Sequence, residues 1–327
     1  MNILFSSCGR RVELIRYFRE ALQRLGGGKL IGIDTNPLAP ALFEVDKQII
    51  VPSCESSDFL SALMQICESE KVDVIIPLID PELHFYAANK EMLRKRGTRV
   101  IVSDSGVIDM CSDKVLTARF LQKVGLPFLK TTPVAGKGWE KHIELPAVLK
   151  PRSGSGGKDV YIVRSEEDVS VLSKRLNEPI LQQRAEGQEI TLDCMVGFDG
   201  QPLRIVARER LEVRAGESSK GRTIKENHIL DLTKELLQYL KACGPVTVQC
   251  FRLEVEYVFT EINPRFGGGY PLSHAAGADF PYILLSMCKG ESIKDDVYAF
   301  EEGVYFCRFD EAFYLRMDDK NNEFKRI

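Results

Sequence analysis

Over roughly its first hundred residues the chain alternates short apolar runs with segments whose apolar residues recur at helical spacing. This alternation restricts the fold more than any other feature. Asn2 to Ser6 is an apolar run ending in a Ser-Ser-Cys-Gly turn. Val12, Ile15, Phe18, Ala21, Leu22 and Leu25 then share one helix face, and Gly26 to Gly28 stop it. Leu30 to Ile33 reads as a second strand, closed by Asp34 and the turn Asn36-Pro37. A strand at Ile49 to Val51 and a helix at Asp58 to Glu68 follow. Val72 to Pro77 is a strand, Glu82 to Arg96 a helix and Arg99 to Val102 a strand. Strands separated by helices predict a parallel sheet covered on both faces, hence an α/β domain over residues 1–110.

The first turn of that domain can be tested against dinucleotide binding. A pyrophosphate needs close backbone approach, which the Gly-x-Gly-x-x-Gly turn supplies. Here Ser7-Cys8-Gly9-Arg10-Arg11 has one glycine, so Asp34 at the next strand end is weak support for a nicotinamide site. Cys8, Gly9 and Arg10 still lie at the C-terminal end of the first strand, where open α/β sheets bind ligands, and are candidate substrate contacts.

Asp113 can cap a helix over Lys114 to Val124, ended by Gly125. A strand at Pro146 to Lys150, a glycine-serine loop at Ser153 to Gly157 and a strand at Val160 to Val163 follow. A helix at Glu166 to Leu176 and a strand at Ile180 to Gln183 complete a segment over residues 111–180. Residues 181–327 then read as antiparallel. Ile190 to Val196 and Leu203 to Arg210 flank Asp199-Gly200, a hairpin signal. Gly216 to Arg222 reads as a polar loop, Ile229 to Ala242 as an amphipathic helix, and Val246 to Leu253 with Tyr257 to Ile262 as a second hairpin.

Composition removes several functional classes. Net charge is −3, without the basic excess of a nucleic-acid-binding chain. No apolar run reaches the roughly 20 residues of a membrane span. The nine cysteines are odd in number and lack Cys-x-x-Cys spacing, so a disulfide or zinc framework is not expected. The four histidines show no metal spacing, and Trp139 reads as core. These features describe a soluble cytoplasmic protein with reduced thiols.

Two stretches carry chemistry. The loop Lys150-Pro-Arg-Ser-Gly-Ser-Gly-Gly-Lys-Asp159 joins two strands, and Gly157-Lys158 is followed by Asp159, so it is not a Walker loop. Its small residues leave N–H groups free to wrap a phosphate, with Lys150 aimed at the same place. In Thr260-Glu-Ile-Asn-Pro-Arg265, Glu261 and Asn263 share one strand face. A carboxylate beside an amide oxygen suits Mg2+, and Gln249 on the preceding strand adds a third oxygen. Arg265 at the strand end can stabilise developing phosphoryl or carboxyl charge. At the substrate end, Arg208 and Arg210 share a strand face and either grip a carboxylate or form a solvated edge. Gly267 to Gly269 either admit a ligand to the backbone, at Gly268, or make a turn.

Asp113-Lys114, Val148 to Lys158, Ile180-Leu-Gln-Gln with Glu186-Gly-Gln-Glu189, and Glu261-Ile-Asn-Pro-Arg265 together resemble the ATP-grasp superfamily. The likeness extends to carbamoyl-phosphate synthase units and to stand-alone carboxylate–amine ligases of the pyrrolysine-biosynthesis type. It covers nearly the whole chain and implies an N-terminal Rossmann-like domain followed by an ATP-grasp fold of two α+β subdomains. It implies that Lys114 and Lys150 hold ATP phosphates, and that Ser153, Gly154, Ser155, Gly156 and Gly157 form the loop over them. Gln182, Gln183, Arg184 and Ala185 would read adenine, and Glu189 the ribose hydroxyls. Gln182 stands where an acid is common in relatives. Gln249, Glu261 and Asn263 would ligate Mg2+ or Mn2+, and Arg265 and Lys150 would serve catalysis. The implied activity is ATP- and metal-dependent joining of a small carboxylate to an amine through an acyl phosphate. The alternatives are phosphorylation of bicarbonate or carbamate by a split synthetase subunit, and a catalytically silent nucleotide-binding regulator. Oligomeric state stays open, a homodimer included.

Overall fold

The computed structural model describes the chain except residues 135–137, 140–141, 155–156, 158, 215, 255, 294–295 and 319–322. The chain forms two compact units. The first comprises Met1–Ser105, Asp279–Asp295 and Arg308–Ile327, and the second Gly106–Ala278 and Asp296–Cys307.

The first unit is built on five parallel strands, β1 (Asn2–Ser6), β2 (Lys29–Asp34), β3 (Lys47–Ile50), β4 (Val74–Pro77) and β5 (Arg99–Val100). Their order is β3-β2-β1-β4-β5. Helices α1 (Val12–Arg24), α2 (Phe59–Ser69) and α3 (Leu83–Lys95) connect them. Ile3, Leu4 and Phe5 are fully buried, and Phe5 meets Phe18 of α1 edge to face at 5.1 Å. The alternation of strand and helix thus gives the parallel sheet it predicts.

The second unit receives α4 (Ser105–Ser112), most of which lies in it, and α5 (Lys114–Lys123). A four-stranded antiparallel sheet orders β6 (Thr131–Pro133), β9 (Pro179–Gln183), β7 (Ala147–Pro151) and β8 (Tyr161–Val163) as β6-β9-β7-β8. Helix α6 (Glu166–Leu172) lies between β8 and β9 in the chain. Trp139, Leu149, Val163 and Leu181 form the core of this part. A larger sheet contains β10 (Gln188–Val196), β11 (Pro202–Arg214), β12 (Glu217–Ile224), β13 (Gly244–Arg252), β14 (Tyr257–Asn263) and β15 (Tyr305–Cys307), in the order β14-β13-β10-β11-β12-β15. Helix α7 (Asn227–Leu240) buries Ile229, Leu230, Leu236 and Leu237 and packs on β11. A short helix α8 (Tyr270–Ala275) follows β14. The chain then contributes α9 (Phe280–Cys288) and the hairpin of β16 (Leu315–Asp318) and β17 (Glu323–Arg326) to the first unit.

One reading needs correction. Residues 216–222, expected as a polar loop, lie largely in β12, which pairs with β11 on one side and β15 on the other. The buried positions within 216–222 are Ser218, Ser219 and Gly221, so that stretch has no apolar alternation to reveal the strand. Polar side chains are tolerated there because β11 supplies partners for them.

Asp113 is a fixed point of the second unit. Its Oδ1 accepts from the Val115 and Leu116 N–H groups at 2.9 and 3.2 Å, capping α5, and its Oδ2 accepts from Arg152 Nε at 2.8 Å. The guanidinium and the cap hold its carboxyl below the usual range. Asp113→Ala is expected to cost about 1–2 kcal/mol in equilibrium denaturation, and Asp113→Asn, which keeps the cap, distinctly less. Equal losses for both variants would show that the cap contributes nothing.

Candidate active site

The site residues gather in the second unit. Lys114 opens α5 and is 9% exposed, and its Nζ donates to the Gly154 carbonyl at 2.8 Å. The helix thereby ties down the start of the glycine loop. Gly154 and Gly157 both adopt positive φ, which suits a loop presenting backbone to a ligand. Ser155, Gly156 and Lys158 lie outside the described residues. Ser153 is exposed beside them.

Lys150 stands on β7 opposite Ile180 of β9. Its Nζ donates to Gln182 Oε1 at 2.8 Å, and Gln182 Nε2 donates in turn to Thr131 Oγ1 at 3.0 Å. Burial pushes the Lys150 amine down to about 8, against the opposing pull of Glu261, with Lys114 adding to the depression and Glu189 resisting it. Lys114, Glu189 and Glu261 are thus the charged groups near enough to act on Lys150. Beyond Gln182, Gln183 donates its N–H to the Lys130 carbonyl at 2.8 Å, Arg184 pairs with Glu186 at 3.1 Å, and Ala185 lies between them.

Across the larger sheet, Gln249 on β13 pairs directly with Glu261 on β14, and Thr247 with Asn263. Glu261 and Asn263 are two residues apart, so they share a face with Gln249. The three oxygen-bearing side chains expected to act together are therefore neighbours. Glu189 on β10 accepts at Oε1 from Gln249 Nε2, at 2.9 Å, and from Arg210 Nη1. Arg265 follows β14; its N–H donates to the Asn263 carbonyl at 2.8 Å and its Nη1 to the Phe266 carbonyl at 3.3 Å.

Arg208 and Arg210 do not form a solvated edge. Arg208 is 3% exposed, and its Nε and Nη2 grip the two oxygens of Asp193 at 2.8 and 3.4 Å. Ser218 Oγ accepts from Arg208 Nη1 at 3.3 Å and from Arg210 Nε at 3.1 Å. Asp193 and Ser218 were not legible as participants. The signal for Asp193 is a charge within the apolar run of β10. Glycines 267 and 269 close over this pair. A Cβ on Gly269 would lie 2.4 Å from Arg208 Nη1, and one on Gly267 would lie 2.9 Å from Asp193 Oδ1. Gly268 sits between them.

The first unit holds the other candidates. The Cys8 side chain is fully buried, with its thiol on the Phe5 carbonyl at 3.5 Å, and burial pushes that thiol far up. It cannot meet a substrate as a thiolate. Gly9 donates its N–H to Asp34 Oδ2 at 2.9 Å, and Arg10 is exposed. All nine cysteines are free.

A family model described as "ATP-grasp in the biosynthetic pathway with Ter operon" matches residues 175–309. A second, "PylC-like, N-terminal domain", matches residues 3–101. Residues 175–309 thus match an ATP-grasp family, and the chain shares its fold with ATP-grasp proteins. Carbamoyl-phosphate synthase of Methanobrevibacter smithii is 30% identical over 206 residues, which are 62% of this chain and 53% of that protein. The chain thus spans about half the length of that relative. Among solved structures, the biotin carboxylase domain of Hydrogenobacter thermophilus 2-oxoglutarate carboxylase, in complex with MgADP and bicarbonate, aligns with a TM-score of 0.73 at 15% identity. That alignment covers 93% of this chain and 73% of the other. The L-amino acid ligase of Bacillus licheniformis aligns with a TM-score of 0.67 at 19% identity, covering 88% and 74%. These likenesses show that the chain has an ATP-grasp fold. No helix among its described residues is long and apolar enough to cross a membrane.

The glycine turn gives a direct test of the packing around Arg208. Gly269→Ala must displace a guanidinium that is pinned by Asp193 and Ser218, and is expected to cost about 1–3 kcal/mol in urea denaturation. Unchanged stability would show that Arg208 is free to move.

Proposed function

We propose that the ATP-grasp chain is an ATP- and Mg2+-dependent ligase that joins a small carboxylate to an amine through an acyl phosphate. The observation that carries this reading is that Lys114, Glu189 and Glu261 all lie near enough to Lys150 to act on its charge, with Gln249 and Asn263 beside Glu261 and Arg265 two residues beyond the strand that carries it. Two ammonium groups beside two carboxylates are what a nucleotide with its cation requires: the first pair for phosphate oxygens, the second for ribose and metal. Ser153 to Gly157 would cover the phosphates, Gln182 to Ala185 would face adenine, and Glu189 would accept from the ribose hydroxyls through Oε2, since the bonds from Gln249 and Arg210 fall on Oε1.

The residues fit a hard divalent cation. Glu261, Asn263 and Gln249 offer one carboxylate and two amide oxygens, a set that suits Mg2+ or Mn2+ shared with phosphate and water. The Gln249 amide is oriented for this: a carboxylate only accepts, so the face toward Glu189 must be Nε2, and Oε1 is left for a cation. A cation held by Glu261, Asn263 and Gln249 would supply positive charge to offset that of the phosphate oxygens.

In the first step the substrate carboxylate oxygen attacks the γ-phosphorus, and the bond to the β,γ-bridging oxygen breaks to release ADP. Lys114 and Lys150 hold the phosphate oxygens in line, and Arg265 offsets charge on the transferring group. In the second step the amine attacks the acyl carbon, loses a proton, and phosphate leaves. The glycine loop excludes water that would hydrolyse the acyl phosphate. The similarity to carbamoyl-phosphate synthase favours a second reading, in which a split synthetase subunit phosphorylates bicarbonate or carbamate.

ADP release measured against a panel of amino acids and small acids, with bicarbonate plus ammonia as one member, tests both readings. Turnover with one pair is expected, and Arg265→Ala should lower kcat about 100- to 1,000-fold. Tight ATP binding without turnover for any pair, unaffected by Arg265→Ala, would establish a regulator instead.

Lys150 adds a pH dependence. Only its protonated amine attracts phosphate, and its pKa of about 8 in the nucleotide-free protein lies below the usual lysine range. The charged fraction therefore falls as pH rises through 8, and ATP affinity should weaken by up to about tenfold per pH unit above it. Lys150→Arg, charged throughout, should flatten that limb in calorimetric titrations. A wild-type affinity constant up to pH 10 would show that Lys150 does not bind phosphate.

A further inference from the structure

We infer that Arg210 is a positioning residue for the nucleotide: it fixes the ribose-facing carboxylate of Glu189 and gives the ATP-grasp chain its preference for a ribonucleotide. The inference rests on the nucleotide reading above and reassigns Arg210, which the sequence places among substrate contacts.

All three guanidinium nitrogens of Arg210 are engaged by the protein. Nε donates to Ser218 Oγ at 3.1 Å, Nη2 to the Gly216 carbonyl at 2.9 Å, and Nη1 to Glu189 Oε1. The side chain is 10% exposed and that of Glu189 27% exposed. The buried partner is thus the arginine and the more accessible one the acid. A fork held at Ser218 and Gly216 cannot follow Glu189 about; Glu189 must come to it. Gln249 Nε2 reaches the same oxygen at 2.9 Å. Two donors on Oε1 lock the rotation of the carboxylate and leave Oε2 as the acceptor for a ligand hydroxyl.

The anchor is itself braced. Ser218 Oγ also accepts from Arg208, whose guanidinium is fixed on Asp193, and Asp193 Oδ2 accepts from Ser273 Oγ at 2.6 Å. The chain of contacts runs from the head of the Gln249–Glu261 pair, through Glu189, Arg210, Ser218 and Arg208, to Asp193. Removal of Arg210 would leave Glu189 held by one neutral donor, free to rotate and to be drawn toward Lys150, whose ammonium it already influences. A carboxylate that turns toward the lysine no longer presents a fixed acceptor to the ribose.

Calorimetric titration of ADP and 2′-deoxy-ADP into the whole chain tests this. A hydrogen bond to a charged acceptor separates the two ligands by roughly tenfold or more, so wild type should prefer ADP by that factor. Arg210→Met should reduce the preference to about twofold or less while ADP still binds, and should leave the KM for the carboxylate substrate unchanged. Ser218→Ala, a smaller change that removes one anchor of the fork, should lower the preference partially and serves if Arg210→Met does not fold. Retention of the full preference in both variants overturns the inference and leaves the nucleotide reading intact. A rise confined to the carboxylate KM also overturns it and returns Arg210 to the substrate. Failure of the wild-type protein to bind ADP overturns the nucleotide reading itself.

Discussion

Two ammonium groups brought near each other repel unless an anion lies between them, and Lys114 and Lys150 meet that condition in the second unit. Lys114 is fixed by the Gly154 carbonyl and Lys150 by the amide oxygen of Gln182. Both partners are neutral dipoles. They orient the amines without neutralising them, and burial, with Lys114 adding to it, lowers the affinity of Lys150 for its proton. A carboxylate at position 182 would have paired with Lys150 and competed with an incoming phosphate. Gln182 leaves that electrostatic demand for the ligand to satisfy, which is differential binding of a polyanion expressed in one side chain.

The acids of the site obey the complementary rule. Glu189 and Glu261 are near enough to Lys150 to raise its proton affinity, yet neither is hydrogen-bonded to it. Glu189 is held away by Arg210 and Gln249, which are themselves held by neighbouring strands. The antiparallel register makes this economical: Thr191 lies opposite Gln249, and Gln249 opposite Glu261, so three strands place side chains on one face at fixed spacing. Orientation of the Gln249 amide then follows from chemistry alone, because its oxygen cannot face a carboxylate.

Legibility in the sequence followed from how local the determinants are. Asp113 before an amphipathic segment is a cap that any reader can see, and α5 starts where it predicts. Asp199-Gly200 marks its hairpin because the turn demands those residues. Gln249 opposite Glu261 was reached by counting back along a hairpin, which works because strands keep register. By contrast, β12 escapes because Ser218, Ser219 and Gly221 take buried positions in it; Ser218 accepts from Arg208 and Arg210 of the neighbouring strand β11, and Ser219 donates to Glu212. Arg208 read as ambiguous for the same reason: its partner Asp193 is 15 residues distant and the pair is visible only once β10 and β11 are laid side by side. Return of residues 279–295 and 308–327 to the first unit depends on contacts such as Arg24 with Asp279 and Phe43 with Phe313, which carry no local signature.

The first unit shows the same principle at its own sheet. Ser7 adopts φ 52° at the end of β1, a conformation that costs a residue with a side chain. Glu82, fully buried, compensates by accepting from Ser6 Oγ at 2.7 Å, Ser7 Oγ at 3.0 Å and the Leu78 N–H at 3.1 Å. One carboxylate therefore ties the ends of β1 and β4, the two strands between which the sheet order reverses. Burial pushes its proton affinity up, and the three donors pull it back. Cys8, next along, is occupied in packing beneath Gly32, where an added Cβ would lie 2.9 Å from its sulfur. The turn that resembles a dinucleotide loop in position is thus filled by protein groups, and its backbone is committed: Gly9 gives its N–H to Asp34 and its carbonyl to Ala41. A pyrophosphate would have to displace each of these contacts, whereas in the second unit the lysines stand with only dipoles to lose. That difference in what must be given up favours the nucleotide site proposed at the glycine loop and β14 over one at the first turn.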